Sequence, residues 1–350
     1  MKIAIIGCGG IAKAHARAIS TFPETALVGA YDIDPAKAAD FTGRFGGEPF
    51  PALEEAFAVA EGVIVASPNF CHYEHAVRAL RAGVHVLCEK PIATTADDAG
   101  RMVELAEQVR TVAAVGFNYR QLPVVREIRS RVAAGRIGDV CSIDLSFHKD
   151  SAFRRKTFTW RDSGNTAGTG GALGDLGVHL IDLAEHVTGR SHQPASIRSH
   201  RVTVVPEKEG NPVAVDDHSE GFAVLDGGIQ FRLSTSKAAS QDERGVTFKV
   251  VGTAGTLHWC SAEGGRLYEG SRAGWHITDL DMPLLADPPT EFHGWSDSFR
   301  LQLVRWARTC HGADATMPTF ADGHHVQQVL EQYVAGQRVP ARAEVVGAPA

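Results

Sequence analysis

Apolar runs without polar alternation dominate the first third of the chain. Lys2-Ile3-Ala4-Ile5-Ile6 leads into a glycine turn and then into a helical stretch through Ser20. A strand that is apolar on both faces belongs inside a parallel sheet. The same reading applies to residues 26–31, 62–66, 84–88 and 111–116, with helical segments after Ser67-Pro68-Asn69 and over 96–109. This alternation predicts a doubly wound α/β sheet whose ligands lie beyond the carboxyl ends of the strands. Three segments fall at such ends and should rim one crevice: Ser67-Pro68-Asn69-Phe70-Cys71-His72, Glu89-Lys90-Pro91 and Phe117-Asn118-Tyr119-Arg120.

Beyond about residue 121 the pattern changes. A helix over 122–134 is followed by polar/apolar alternation in 141–148, 229–234 and 246–251. Period-two alternation predicts an antiparallel sheet with one packed face. Residues 205–215 and 286–290 read as polar, Pro-containing connections, helices are expected over 295–308 and 322–335, and the tail 347–350 should be frayed. The expected domains are 1–120 and 121–350, in keeping with a length of 350 residues.

The first turn carries a nucleotide signature. G-x-G-x-x-A occurs at Gly7, Gly9 and Ala12, between a strand and a helix. Gly7 permits the tight turn, Gly9 with Gly10 and Ile11 lets backbone N–H groups approach a pyrophosphate, and Ala12 allows close helix–strand packing. Asp32 ends the next strand at the distance expected for a carboxylate that accepts from both adenosine ribose hydroxyls. It would repel a 2′-phosphate, and Ile33 and Asp34 rather than a basic residue follow, so NAD is expected over NADP.

A second motif lies at 170–186. Asp175 and His179 are four residues apart among glycines and hydrocarbon, which puts both on one face of a helix, with Asp182 and His186 continuing the stripe. A buried stripe of this kind is either a hydrogen-bonded core network or the lining of a cleft where an Asp/His pair performs acid–base chemistry. Lys90 is either a surface lysine after a strand or a crevice group. Asn118 is a cofactor or substrate contact or a helix cap, and His15 reads as packing. Trp160 and Arg161 suit polyol recognition by an aromatic face and guanidinium donors. The run Arg154-Arg155-Lys156 reads either as a solvated loop or as an attractor of an acidic or phosphorylated sugar.

Composition narrows the class. Hydrophobic content of 44% and charged content of 22% are those of a globular protein, and a net charge of −6 gives no support for nucleic-acid or membrane binding. No segment is long and apolar enough to span a bilayer, and a strand starting at residue 2 leaves no room for a signal peptide. The six cysteines contain no C-x-x-C pair and read as reduced, mostly buried thiols of a cytoplasmic protein. No ligand spacing supports a metal site.

The order of the glycine motif, Glu89-Lys90-Pro91 and the G-G-x-x-x-D-x-x-x-H segment (Gly170, Gly171, Asp175, His179) resembles the glucose–fructose oxidoreductase and inositol dehydrogenase (Gfo/Idh/MocA) family over nearly the whole chain. The resemblance implies a Rossmann domain followed by an α+β domain with a large open, mainly antiparallel sheet. It implies hydride transfer between nicotinamide and a hydroxyl or keto carbon of a sugar or cyclitol, and assembly as a homodimer or homotetramer through that sheet. It assigns Lys90 as catalytic lysine and His179 as acid/base, with Asp175 beside them, and puts His72 on the cofactor cleft. Asp182 then belongs behind the site. Ser67, Pro68, Asn69, Glu89, Lys90 and Asn118 are the expected cofactor contacts. Lys90, Asn118, Trp160, Arg161, Asp175 and His179 are the expected substrate contacts. Two other functions fit the same fold: a non-catalytic NAD-linked ligand sensor and an NADPH-linked keto-sugar reductase.

Overall fold

The computed structural model describes residues 1–164, 168–281, 285–313 and 316–339. The frayed tail expected at 347–350 lies outside the described residues. The chain forms two compact units.

The first unit contains Met1–Leu122 and His293–Gln328, with a short segment ending at Pro288. Its strands and helices alternate: β1 (Lys2–Ile6), α1 (Gly10–Ser20), β2 (Ala26–Tyr31), α2 (Pro35–Phe45), β3 (Glu48–Pro49), α3 (Leu53–Val59), β4 (Gly62–Val65), α4 (Asn69–Arg81), β5 (His85–Cys88), α5 (Ala96–Gln108) and β6 (Ala113–Val115). The sheet is parallel in the order β3-β2-β1-β4-β5-β6. Ile3, Ala4, Ile5 and Ile6 have no exposed surface, so the apolar opening run is hidden on both faces, as a central parallel strand must be. The crevice segments follow β4, β5 and β6, which are neighbours.

The second unit contains Pro123–Asp281, Pro289–Phe292 and the chain from Val329 onward. Its elements are α6 (Pro123–Ala133), β7 (Val140–His148), α7 (Ser151–Arg154), a π-helical turn at Leu173–Gly177, α8 (Val178–Thr188), β8 (Arg198–Val202), the short hairpin β9 (Glu207–Lys208) and β10 (Asn211–Pro212), β11 (His218–Leu225), β12 (Ile229–Ser236), β13 (Gly245–Gly252), β14 (Gly255–Cys260), β15 (Arg266–Ser271) and β16 (Gly274–Asp279). After α9 (Trp295–Cys310) and α10 (Phe320–Val334), β17 (Gln337–Val339) completes a sheet ordered β16-β15-β14-β13-β7-β12-β11-β8-β17. Ile143, Leu145 and Phe147 of β7 and Phe231 and Leu233 of β12 are buried, and α8 packs against these two strands. The alternate residues Asp144, Ser146, Arg232 and Ser234 are not buried.

The sheet is mainly antiparallel, as expected, with β12 pairing with β7 and β17 with β8 in parallel, since alternation reports which face is buried rather than strand direction. Two expectations are corrected. The C-terminal part of the chain is not confined to the second domain. Helix α9 belongs to the first unit, where Phe299, Leu303 and Trp306 join the core beside α1. Finally, the segment read as one helix from 170 onward begins with the wide π turn, and α8 starts only at Val178.

Candidate active site

The strand β1 enters the glycine turn at Gly7, whose φ of +93° favours glycine. A Cβ there would sit 2.6 Å from the backbone of Ser67. By contrast, a Cβ on Gly9 or Gly10 would meet nothing within 4 Å, while Ala12 is fully buried. The turn is therefore tight on its strand side and open at the N-terminus of α1, where helix N–H groups and dipole favour a phosphate. Asp32 is fixed at the end of β2: Oδ2 accepts from the Cys8 amide at 2.8 Å and Oδ1 from the Asp34 amide at 3.0 Å. Burial and the Asp32 charge push the Cys8 thiol up to about 12, so it is no nucleophile despite its place in the turn.

The next three strand ends are tied together. His72 is buried, with Nδ1 2.8 Å from the carbonyl oxygen of Pro91 and Nε2 3.0 Å from that of Ser67. Burial lowers its pKa against the opposing pull of the Pro91 carbonyl and Glu89. A neutral ring donates only one N–H, so His72 clamps one loop to the other through one full hydrogen bond at a time. Both of its nitrogens face these carbonyls, so its hydrogen bonds position the two loops. Ser67 Oγ lies 3.0 Å from Nδ1 of His75, an imidazole that burial depresses to about 4, whereas Pro68 and Asn69 are only partly buried. The Lys90–Pro91 peptide is cis, and Lys90 is half-buried. Behind it Glu89 is buried, with Oε1 2.7 Å from His15 Nε2. Burial alone would raise the Glu89 carboxyl, but the hydrogen bond and charge of His15, aided by Lys90, hold it below its ordinary value. Asn118 is buried and donates from Nδ2 to Ser298 Oγ at 2.8 Å, so one of its amide donors anchors α9.

In the second unit Asp216 builds the other motif. Its backbone carbonyl accepts from the Ala172 amide at 2.8 Å and its Oδ2 from the Leu173 amide at 2.9 Å. Gly171, at φ +88°, leaves room for that carboxylate, since a Cβ would lie 2.4 Å from Oδ1. A Cβ on Gly174 would overlap the Thr169 carbonyl oxygen at 1.6 Å. The glycines thus permit the π turn, a feature that recurs at functional sites. Asp175 sits on this turn with its side chain 42% exposed, and its Oδ2 is 3.0 Å from Nζ of Lys237. It is not the buried carboxylate that the spacing suggested. His179 is buried beside Phe147, with ring centroids 6.2 Å apart, and Asp182 is buried one helical turn further on. Burial lowers the Lys237 pKa; Asp175 opposes this, and Arg155 and Arg161 add to it.

A polar hub adjoins this group. Asp162 Oδ1 accepts from Arg155 at 2.7 Å and from Lys208 at 2.9 Å, and its Oδ2 accepts from Thr159. Burial would raise this carboxyl, yet Lys208, Thr159 and Arg155 bring it down to about 2. Arg161 stacks over Trp160, its guanidinium carbon 4.3 Å from the ring centroid. Arg154 pairs with Asp150 and Lys156 is exposed, so the basic run is part solvated loop and part built structure.

His15, Asp162, Lys208, Asp216 and Lys237 were not singled out as site residues. His15 was legible as a polar residue on an otherwise apolar helix face. The other four lie in loops or at strand ends, where nothing local distinguishes them. Among the described residues no group of three His, Cys, Asp or Glu side chains is placed to hold a metal, and no helix is long and apolar enough to cross a membrane.

Residues 1–117 match the oxidoreductase family with an NAD-binding Rossmann fold, and residues 125–258 match the GFO/IDH/MocA C-terminal domain. Glucose-6-phosphate 3-dehydrogenase of Bacillus subtilis (strain 168) is 41% identical over 95% of both chains. The chain belongs to the Gfo/Idh/MocA family. It is an oxidoreductase with an NAD-binding first domain. Among solved structures, an oxidoreductase domain protein from Kribbella flavida superposes with a TM-score of 0.83 at 28% identity, covering 94% of each chain. A levoglucosan dehydrogenase in complex with NADH shares the fold, with a TM-score of 0.86 at 24% identity over 95% of this chain and 96% of that one.

The residues fit the cofactor of this Gfo/Idh/MocA protein. A Cβ at Gly9 or Gly10 would meet nothing within 4 Å, which leaves room for a pyrophosphate, and the Asp32 carboxylate, held at the end of β2, is able to accept from the hydroxyls of a ribose.

Proposed function

We propose that this protein oxidises a ring hydroxyl of a sugar or cyclitol with NAD, using Lys90 and His179 as the proton-transfer pair. The observation that carries the reading is similarity across 95% of the chain to a named sugar dehydrogenase, in a chain that carries Lys90, Asp175 and His179 at the motif positions. Bound NAD supplies the hydride acceptor. His179 takes the proton of the reacting hydroxyl, since hydride cannot leave the carbinol carbon unless that oxygen loses its proton. The Lys90 ammonium hydrogen-bonds the same oxygen and stabilises its developing negative charge. Asp175 orients the imidazole or accepts from a neighbouring hydroxyl. Gly9, Gly10, Ile11 and Asp32 hold the dinucleotide, and Ser67, Pro68, Asn69 and Asn118 border it.

NADH formation from NAD⁺ across inositols, free aldoses, anhydrosugars, glycosides and sugar phosphates tests this. Turnover is expected on at least one class, and Lys90→Met should lower kcat/KM by about 10²–10⁴-fold while NADH still binds. Undiminished turnover in the variant would remove Lys90 from the mechanism. Silence across the panel, in protein that binds NADH, would favour a ligand sensor. The same proposal includes homo-oligomerisation through the polar face of the large sheet, which a monomeric mass in analytical ultracentrifugation would exclude.

A further inference from the structure

We propose that Arg155, Arg161 and Lys237 form an anion subsite that takes the phosphoryl group of a phosphorylated sugar, next to Asp175. The proposal rests on the dehydrogenase reading for the part of the substrate that reacts.

The charges do not cancel. Arg155, Arg161, Lys208 and Lys237 are four cations, and Asp162 and Asp175 are the two carboxylates coupled to them, which leaves an excess of two positive charges. A phosphate monoester carries ~1.5–2 negative charges near neutral pH, judged from phosphorylated side chains. The cations are also close enough to oppose one another: Arg155 and Arg161 both disfavour the charge on Lys237. Built structure holds them there. Lys208 and Lys237 are 6% and 8% exposed, and Arg155 is locked to Asp162. Exposed lysines scattered on a surface would relax apart, whereas Arg155, Lys208 and Lys237 are each held by a carboxylate.

Unused donors remain. Arg155 Nε is buried without a hydrogen-bond partner among the described residues, which costs free energy until an acceptor reaches it. Lys237 has three ammonium donors and spends one on Asp175. Arg161 has no carboxylate within ion-pair distance among the described residues; Trp160 covers one face of its guanidinium and leaves the in-plane N–H fork. Arg161 is exposed, so a ligand from solvent can reach its guanidinium, while the protein around it disfavours its charge by desolvation. A guanidinium fork suits the tetrahedral oxygens of a phosphate bidentately, which a neutral hydroxymethyl group cannot match.

The test compares glucose 6-phosphate with glucose, in native protein and in Arg161→Gln, by NADH formation. The melting temperature of the NAD⁺-saturated protein is read in parallel with glucose 6-phosphate and with inorganic phosphate. The native protein should prefer the phosphorylated sugar, and Arg161→Gln should cut that preference roughly tenfold or more, chiefly through KM. Glucose 6-phosphate should raise the native melting temperature more than that of the variant. Lys237→Met, checked for folding by circular dichroism, should act in the same direction. Equal use of both sugars by the native protein, or an equal loss on both in Arg161→Gln, would overturn the subsite. If neither sugar is oxidised but glucose 6-phosphate stabilises only the native protein, the subsite stands and oxidation of these two sugars falls, the dehydrogenase reading then being decided by the wider sugar panel. If neither sugar is oxidised and no stabilisation occurs, the subsite is overturned.

Discussion

The two units present their functional groups in opposite ways. In the first, backbone does most of the work. Gly7, Gly9 and Gly10 shape the turn, and adjacent strand ends deliver Ser67, Glu89 and Lys90 because β4, β5 and β6 are neighbours in one sheet. In the second, side chains from positions 155, 161, 162, 175, 208 and 237 converge, and their placement depends on the packing of a whole domain. A site made of consecutive residues at strand ends has its geometry set by local covalent structure. A site made of distant side chains has no such guarantee and relies on ion pairs to hold it. The turn of the first should therefore fail on added bulk, whereas the second should be sensitive to charge.

Glycines give the widest contrast. Gly174→Ala would force a Cβ into the Thr169 carbonyl and should cost about 3 kcal/mol or more, read as a large fall in melting temperature. Gly9→Ala meets nothing in the protein, so it should fold normally and lose NADH affinity instead. Equal stability of the two variants would contradict the proposed constraint on the π turn.

Asp162→Asn probes the ion-pair hub. With the carboxyl brought from its ordinary 3.8 to about 2, ionisation of Asp162 contributes about 2 kcal/mol of stability at neutral pH. Because the folded pKa is the depressed one, this contribution is complete above about pH 4 and is lost as pH falls through about 2. Chemical denaturation from pH 7 to pH 2 should show the native protein converging on the variant at the acid end. A constant gap would mean that the carboxylate is not the source.

The smallest effect is expected at Asp32. Removing its charge in Asp32→Ala should shift the NAD:NADP preference by roughly tenfold, about 1.4 kcal/mol, with little change in fold. Competition binding of the two cofactors measures it, and an unchanged ratio would assign the discrimination elsewhere.

Much of the first unit was legible because strand burial, helix period and turn chemistry are all local signals. The adjacent strand ends were legible, and so was the position of Asp32 at the end of β2. Even there, local reading named His72 and Asn118 without their partners, the Pro91 and Ser67 carbonyls and the Ser298 hydroxyl. In the second unit the Asp175/His179 spacing was visible, but the half-exposed position of Asp175 was not. That position follows from the π turn, which in turn requires Asp216, some forty residues away, to hold its first amides. The loop at 205–215 read as a mere connection, yet it carries Lys208 into Asp162.

The amino-acid sequence by itself determined the Rossmann half, the NAD signature and the family, since these depend on short-range patterns of burial, φ and spacing. Tertiary structure alone decided that β12 runs parallel to β7, that α9 returns to the first unit, and that Arg155, Lys208 and Lys237 pair with two carboxylates beside Arg161. Those outcomes depend on which distant segments come into contact, and charge and hydrogen-bond partners are properties of the contact rather than of either residue.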